Sequence, residues 1–360
     1  MSLTSSQKAA IQTIESYARK QTTIGEFELP NVLAMSNLSN ERYDAAEQKI
    51  RDHARVGLQF NPDRVSQSGK TVVQSLLEDG RYKNQFETHL SNGKLDPIVE
   101  GERAGWEDTL FGGAFSKHQA NLSERPKYGA LHLMLYPDGP CPRYGSCFVL
   151  LAPSASARCT FTYMDSHRNP PEKGTLQYFE PIFAALMTEC FERSFSLGRH
   201  QVSPPDLIDH LISNLERPFI EHISSPMGRN LNHYIEAQIH GDIQLNEDAE
   251  LLVADPSFRG ESVGDQLEEL CEKFGLDLHW HQGYRLPISE VPEDFRGPSM
   301  PSLAERITNT DFIDAFMIGQ AAANLETNPN DWEDRGTYGE VLQELKCLWH
   351  VLVRFGVPAT

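Results

Sequence analysis

The chain has 360 residues, of which 39% are hydrophobic and 23% are charged, and its formal net charge at pH 7 is −19. This is the composition of an ordinary soluble protein with one large domain or two modest ones, and no apolar run approaches the roughly 20 residues that span a bilayer. The acidic balance disfavours tight nonspecific binding to nucleic acid, because like charges repel.

Apolar periodicity predicts helices in the first part of the chain, over residues 7–21, 41–56 and 69–80. The segment before them lacks the basic and then apolar pattern of a secretory signal, so we expect a cytoplasmic protein. Residues 81–130 are rich in glycine and polar groups, which is typical of a functional loop system.

The middle of the chain is predicted to form a sheet, with strands at 128–136, 146–152 and 158–164 and two more around Glu236 and Ala254. Further helices are predicted at 178–197, 206–215, 262–274, 311–325 and 338–355, with a strand at 276–280. This order predicts an α+β fold with a central, mostly antiparallel sheet, inserted helices and helical termini. We divide it into an N-terminal helical segment (1–57), a catalytic α+β domain (58–300) and a C-terminal helical segment (301–360) that packs on that domain.

Residues 234–241 give the strongest functional signal. Read at period two, this strand has Tyr234, Glu236, Gln238 and His240 on one face and apolar residues on the other. An ordinary solvated strand seldom aligns a phenol, a carboxylate, an amide and an imidazole. We predict that Glu236 and His240 are catalytic; the alternative is a sheet edge covered by a loop, where these groups are only hydrogen-bonded.

Other polar residues mark the ends of predicted strands. Asp165 and Asp255 each end a strand, and Ser146 begins one just after a turn. If these strands are neighbours, their side chains converge with Glu236 into the set used for nucleophilic acyl transfer with a general base. Taken singly, Asp165 and Asp255 fit loop-capping acids slightly better than catalysts.

The common enzyme fingerprints are absent from the sequence: it contains no GxxxxGK[ST], GxGxxG, HExxH or GxSxG. Its six cysteines include no CxxC pair and no zinc-finger spacing, which argues against a structural zinc site. Cys159, Cys190 and Cys347 lie in apolar segments, so we expect small core residues that stay reduced. His279 and His281 share a strand face, but no acid or cysteine completes a metal site there. We therefore expect no metal and no cofactor.

Basic residues at turns are candidates for binding anions. Arg64 and Arg125 follow or begin turn-like segments and suit a carboxylate through their guanidinium groups. The alternative for each is a turn with an exposed charge. Lys127, Arg143, Arg158 and Arg168 fall in the same stretch as Arg125 and are candidates for a local basic groove.

From about residue 55 to 300, a series of short motifs resembles a bacterial and fungal domain of unknown function. The motifs are FNPDR at 60–64, QFET at 85–88, SNG at 91–93, WEDTLFGGA at 106–114, RPKYGAL at 125–131, RYGS at 143–146, DS at 165–166, EAQIHG at 236–241, DPSFRG at 255–260 and WH at 280–281. Within that domain the chain is most similar to fungal arginine-containing cyclodipeptide synthases, and LKCLWHVLVRFG at 345–356 adds to the similarity.

The resemblance implies that arginine is cyclised with a second amino acid to a diketopiperazine. The substrates would be arginyl-tRNA and a second amino acid or aminoacyl-tRNA, with no membrane or DNA partner; the oligomeric state is left open. Glu236 would hold or deprotonate the α-amine, Asp165 or Asp255 would pair with the guanidinium, and a donor near Ser146 would stabilise the oxyanion. The other candidate substrate-binding residues are Tyr128, Arg125, Arg64, Gln238 and Ser91.

Two other functions remain open. ADP-ribosyltransferases, which use NAD, have a split sheet with a serine on a middle strand and a glutamate on a late strand, which Ser146 and Glu236 loosely resemble. Their usual Glu-x-Glu or Gln-x-Glu is here Glu-x-Gln, from Glu236 to Gln238. The remaining alternative is a non-catalytic protein that binds an amino acid or peptide.

Overall fold

The computed structural model of the protein describes residues 2–24, 29–66, 68–90 and 101–359. The strands in these residues are β1 (Val56–Phe60), β2 (Arg81–Tyr82), β3 (Lys127–Leu131), β4 (Cys147–Leu151), β5 (Cys159–Tyr163), β6 (Lys173–Gly174), β7 (Phe195–Ser196), β8 (Arg199–His200), β9 (Ile235–Ile239), β10 (Ile243–Gln244), β11 (Ala249–Ala254), β12 (Asp277–Trp280), β13 (Leu286–Pro287) and β14 (Phe312–Ile313).

Eight of these described strands form the central sheet, in the order β12-β11-β4-β1-β3-β9-β5-β6. Every neighbouring pair is antiparallel except β11 and β12, which are parallel. The short strands pair separately, β2 with β10, β7 with β8 and β13 with β14. Strands far apart in sequence, β3, β9 and β5, are therefore adjacent at one side of the sheet.

Helices surround the sheet and form both ends of the chain. They are α1 (Ser5–Ile24), α2 (Leu29–Met35), α3 (Asn40–His53), α4 (Val72–Asp79), α5 (Gln85–Thr88), α6 (Glu102–Leu110), α7 (Ala114–Lys117), α8 (Pro153–Ser156), α9 (Glu180–Arg193), α10 (Pro204–Asn214), α11 (Leu245–Asp248), α12 (Ser262–Phe274), α13 (Met300–Ile307), α14 (Ala315–Thr327) and α15 (Tyr338–Phe355). In the part of the chain that the structure describes, none of them is both long and apolar enough to cross a bilayer.

Local sequence fixes the ends of the helices that frame the site. Thr337 caps α15 with its hydroxyl on the amide of Glu340, whose carboxylate accepts from the Thr337 amide. Thr71 and Gln74 make the same reciprocal capping box at α4. Such boxes pair amide groups at the first turn, which have no partner within the helix.

The main core extends along the whole sheet and draws on distant parts of the chain. Ile50 of α3, Phe148 of β4, Ala237 of β9 and Leu348 of α15 all belong to it and are fully buried. A smaller, separate cluster contains Ile14 of α1 and Phe111 beside α6. Burial of apolar side chains from these helices and strands holds the layers together.

The predicted α+β fold, with its mostly antiparallel sheet and helical termini, is confirmed. The limits predicted for 262–274 and 338–355 coincide with α12 and α15. The strand predicted over 128–136 ends at Leu131, and Leu135 takes a φ of 56°, which an extended strand does not allow. The division into three domains stays a prediction.

Candidate active site

A cavity of about 1050 Å³ opens on the face of the sheet formed by β1, β3 and β9. Its floor includes Gln59 and Glu236, and its walls include Trp106 of α6 and His350 of α15. Ligand sites commonly have volumes of about 300–1,000 Å³. The cavity is therefore large enough for two small reactants or for a reactant with a nucleoside attached.

Glu236 is the central carboxylate of this floor. In register, it lies between Ala130 of β3 and Thr162 of β5. Its side chain lines the cavity although the residue is only 7% exposed. Burial, followed by the charge of Asp165, raises the pKa of Glu236 to about 7. A carboxylate with a pKa in this range can take up and release a proton near neutral pH.

Asp165 lies on the cavity wall beside Glu236, directly after β5. Met164, before it, has a φ of 68°, so the chain turns sharply at the strand end. Asp165 then caps a short turn by accepting the amide of His167 at 3.0 Å. The Tyr144 hydroxyl donates to Asp165 at 3.5 Å and lies 2.8 Å from the Tyr234 hydroxyl. Two phenols thus face the same side of the cavity as the acid.

Ser166 is a residue that sequence analysis did not select. Its hydroxyl donates to Glu236 Oε1, and its carbonyl accepts from Trp106 Nε1 at 2.9 Å. The residue is fully buried and does not line the cavity, so it acts on the site through its hydrogen bond to Glu236. The sequence signal that could have identified Ser166 is its position directly after Asp165, which was predicted as a site residue.

Gln238 and His240 form a second row behind Glu236. Gln238 donates to Glu236 Oε1 at 3.0 Å and accepts from Thr160 at 2.8 Å. The Thr160 hydroxyl also lies 3.1 Å from His240 Nε2. Burial, followed by the charge of Lys127, lowers the pKa of His240 to about 3. Because neither Gln238 nor His240 lines the cavity, the row supports Glu236 from behind.

Tyr128 reaches the cavity from β3 and is held from behind by a buried ion pair. Its hydroxyl donates to Glu107 at 2.8 Å, and Arg125 donates to the same carboxylate at 2.6 Å. Burial raises the pKa of Glu107, while the Arg125 charge opposes that rise. Arg125 does not line the cavity; its guanidinium forms a buried ion pair with Glu107.

An aromatic wall with one buried cation stands next to Tyr128. The Trp106 and Tyr128 rings lie 5.4 Å apart, and His167 meets Trp106 edge-on at 6.1 Å. The Arg103 guanidinium lies 5.0 Å from the Trp106 ring and 5.4 Å from the Tyr128 ring. Among the described residues, no group accepts a hydrogen bond from Arg103 Nε.

A second cavity of about 60 Å³ adjoins the large one, and Arg64 and Ser146 line it. Arg64 lines both cavities, whereas Ser146 lines only the small one. Asp255 follows β11. Three strands, β4, β1 and β3, lie between β11 and the strand of Glu236, β9. Asp255 Oδ2 is 4.0 Å from His281 Nε2, and Asp255 lines neither cavity. Ser91 lies outside the described residues.

The comparisons with known proteins place this site within one family. The family described as "Protein of unknown function (DUF3626)" matches residues 55–355. The chain belongs to this family. A comparison with curated proteins finds no match. The predicted resemblance to a domain of unknown function is thus confirmed, and the match reaches past residue 300 into α15. Every described residue that lines the large cavity lies within the DUF3626 domain.

The cavity of the DUF3626 domain is more basic than the protein around it. Among the residues that the structure describes, nine arginines or lysines line it, against five aspartates or glutamates, although the net charge of the chain is −19. Of the cations predicted for a basic groove, Arg143, Arg168 and Lys127 line the cavity, whereas Arg158 pairs with Asp248 at 2.8 Å. Over the described ranges, no group of three or more His, Cys, Asp or Glu side chains is arranged to bind a metal.

Proposed function

We propose that the protein is an aminoacyltransferase that forms an arginine-containing cyclodipeptide, cyclo-Arg-Xaa, from aminoacyl-tRNA. The observation that carries this proposal is the Glu236 carboxylate, which faces a large basic cavity and has its pKa raised to about 7. The resemblance of the sequence motifs to arginine-containing cyclodipeptide synthases supplies the substrate class.

The chemistry requires a base near neutral pH. In each of two steps an α-amine attacks the carbonyl carbon of an aminoacyl ester, an amide bond forms, and the ribose oxygen leaves. The attacking amine must lose one proton and the leaving oxygen must gain one. Glu236 takes the proton from the amine and returns it to the ribose oxygen, because its raised pKa makes both transfers feasible.

The phenols of Tyr144 and Tyr234 can donate to the developing oxyanion once substrate binding turns their hydroxyl protons away from Asp165 and from each other. Burial raises the pKa of both groups, so both stay protonated at neutral pH. Preorganised donors of this kind stabilise a tetrahedral intermediate strongly in a site shielded from water. The sequence led us to expect an oxyanion donor near Ser146; Tyr144 lies two residues before it and lines both cavities, so we assign this role to Tyr144 and its neighbour Tyr234.

The remaining wall suits the cationic side chain of arginine. Asp165 offers a carboxylate for a guanidinium group, and Trp106 and Tyr128 offer ring faces on which its plane can stack. Asp255 is too far along the sheet to share this role.

The test is production of arginine diketopiperazines in bacteria that express the protein, measured by mass spectrometry of the culture. We expect the wild type and Glu272→Gln to make the product, since Glu272 is exposed on α12 and does not line the cavity. We expect Glu236→Gln to make none. Soluble wild-type protein without product overturns the proposal. Hydrolysis of NAD would then point to an ADP-ribosyltransferase, and arginine binding alone would point to a receptor.

A further inference from the structure

A chain of buried hydrogen bonds runs behind Glu236, between strands β5 and β9. Thr160 lies directly opposite Gln238 in the antiparallel register, and Thr162 lies opposite Glu236. Cross-strand neighbours of this kind bring their side chains within contact distance. Both threonines, Gln238 and His240 are fully buried, so solvent does not reach these groups. The hydrogens of these side chains therefore decide what faces Glu236.

The Gln238 amide fits beside an ionised Glu236 in one orientation. A carboxylate only accepts hydrogen bonds, so the amide NH2 group points to Glu236 Oε1, which is 3.0 Å away. The second amide hydrogen points to Thr162 Oγ1 at 3.4 Å. The Thr162 hydroxyl does not point back, because it donates to the Met164 carbonyl at 2.9 Å. The Gln238 carbonyl therefore faces the other way, toward Thr160.

Thr160 holds the amide in this orientation. Its hydroxyl donates its single hydrogen to Gln238 Oε1 at 2.8 Å. The Thr160 oxygen then accepts from His240 Nε2 at 3.1 Å, so His240 carries its hydrogen on Nε2. Phe111 meets the His240 ring edge-on at 5.4 Å, and Phe115 stacks on it at 6.4 Å. All donors thus point one way, from the imidazole toward the carboxylate.

The same chain determines which oxygen of Glu236 exchanges a proton. Ser166 and Gln238 both donate to Oε1, so Oε1 remains an acceptor whether Glu236 is ionised or protonated. Among the described residues, no side chain donates to Oε2. The proton that Glu236 gains and loses is therefore carried by Oε2.

We propose that Thr160 and His240 are positioning residues for Glu236: they hold the Gln238 amide with its NH2 group, and not its carbonyl, toward the carboxylate. Neither residue lines the cavity, so both act through Gln238. Without the Thr160 hydroxyl, the amide is free to turn, and its carbonyl then accepts the proton of a protonated Glu236. The use of Glu236 as a base rests on the proposed function, whereas its titration can be measured without turnover.

A change at Thr160 alters a hydrogen bond and leaves the charges around Glu236 as they are. The titratable groups that interact electrostatically with Glu236 lie after β5, on β3, in the turn before β4 and before β9, and they are Asp165, Tyr128, Cys141 and Tyr234. The charge of Lys127 acts on His240. In the part of the chain that the structure describes, none of these groups is hydrogen-bonded to Thr160 or Gln238.

The test measures the pKa of Glu236 by NMR of protein labelled with carbon-13 at the glutamate carboxyl groups. Its signal is the one that Glu236→Gln removes. We expect Thr160→Val to raise this pKa by about one unit, because the ionised carboxylate loses an oriented donor. Thr160→Ser keeps the hydroxyl and should restore the wild-type value.

The matched control is Thr175→Val, at a buried threonine whose hydroxyl has no hydrogen-bond partner among the described residues. It should leave the Glu236 pKa unchanged. A double-variant cycle then separates positioning from a general loss of packing. In Gln238→Met, which has no amide to orient, adding Thr160→Val should move the pKa by less than about 0.3.

Three results overturn the inference: an unchanged Glu236 pKa in Thr160→Val, the same change in the Gln238→Met background, or a Thr160→Ser protein that behaves as Thr160→Val does. If Thr160→Val does not fold, Thr160→Ala decides by the same measurement. A pKa that responds as expected in a protein that makes no cyclodipeptide would contradict the proposed function and leave this inference standing. Cyclodipeptide formation with a Glu236 pKa that Thr160→Val does not alter would do the reverse.

Discussion

At the residue scale, the behaviour of the site depends on how one carboxylate is buried. Glu236 has Ser166 and Gln238 as donors, but desolvation outweighs them and its pKa rises. Since an acid with a raised pKa in the folded state binds more protons folded than unfolded, it lowers stability as pH rises from about 4.5 to about 7. The raised pKa that suits Glu236 to catalysis therefore destabilises the folded protein above about pH 4.5.

We predict that Glu236→Gln melts within a few degrees of the wild type at pH 5 and above it at pH 8. Glutamine keeps the shape and removes the charge that burial penalises, so the gain at pH 8 is at most about 3 kcal/mol. Thermal denaturation at both pH values measures it.

The control for this variant is Glu107→Gln, in a buried carboxylate outside the cavity. It leaves the Arg125 guanidinium without its counter-charge, so we expect a loss of about 3–5 kcal/mol. A Glu236→Gln protein that is less stable than the wild type at pH 8 would show that the carboxylate is structural.

Asp165→Asn tests the electrostatic coupling of the two acids. The charge of Asp165 raises the pKa of Glu236, so its removal should lower that pKa. We predict that the rising limb of the pH–rate profile for cyclodipeptide formation moves to lower pH, by about one unit. Initial rates between pH 5 and 8 measure it. A profile that keeps its midpoint would mean that another group titrates.

At the element scale, sequence patterns located most strands and helices but not their neighbours. The alternation around Glu236 identified β9 because one face is apolar and the other polar. Strand β1 gave no such signal, since all five of its residues are buried and it follows directly after α3. The contact between Ser166 and Glu236 depends on β5 pairing with β9 across 70 residues of sequence, and periodicity carries no information on such pairs.

The packing of α14 against the chain after β1 gives a further prediction. A Cβ at Gly319 would overlap the Asp63 carboxylate, which is buried beside it. We therefore expect Gly319→Ala to destabilise the protein by about 1–3 kcal/mol, although Gly→Ala normally stabilises a helix.

Gly339→Ala in α15 is the matched control for this change. Among the described residues, no atom lies within 4 Å of a Cβ added there, so we expect the free energy of unfolding to rise by about 0.5–1 kcal/mol. Chemical denaturation of both variants gives the comparison. Equal shifts in the two variants would contradict the packing at Asp63.

At the scale of the whole molecule, buried ionisable groups set the pH of greatest stability. His132 and His350 have pKa values lowered to about 3 by burial, so they lower stability as pH falls below about 6.5. Glu236 and Asp63 have pKa values raised to about 7, so they lower it as pH rises above about 4.5. We predict maximal thermal stability between pH 4.5 and 6.5, measured by calorimetry; a maximum above pH 7.5 would contradict the burial of these acids.

The distribution of charge is also a property of the whole molecule that composition hides. A net charge of −19 argues against RNA as a partner, yet the cavity lining carries an excess of cations. The sequence grouped Arg125, Arg143 and Arg158 as a possible groove. Arg125 and Arg158 are neutralised by Glu107 and Asp248, and Arg64 and Lys346, from elsewhere in the chain, line the cavity with Arg143. Only the fold decides which cations reach the cavity.

The most direct test follows radiolabelled arginine from arginyl-tRNA in a single turnover with purified protein and a mixture of other aminoacyl-tRNAs. We expect the wild type to transfer the label into a cyclic dipeptide, and Glu236→Gln to do so at least about a hundredfold more slowly. Label that stays on the RNA with folded wild-type protein, or an unchanged rate in the variant, would contradict the account.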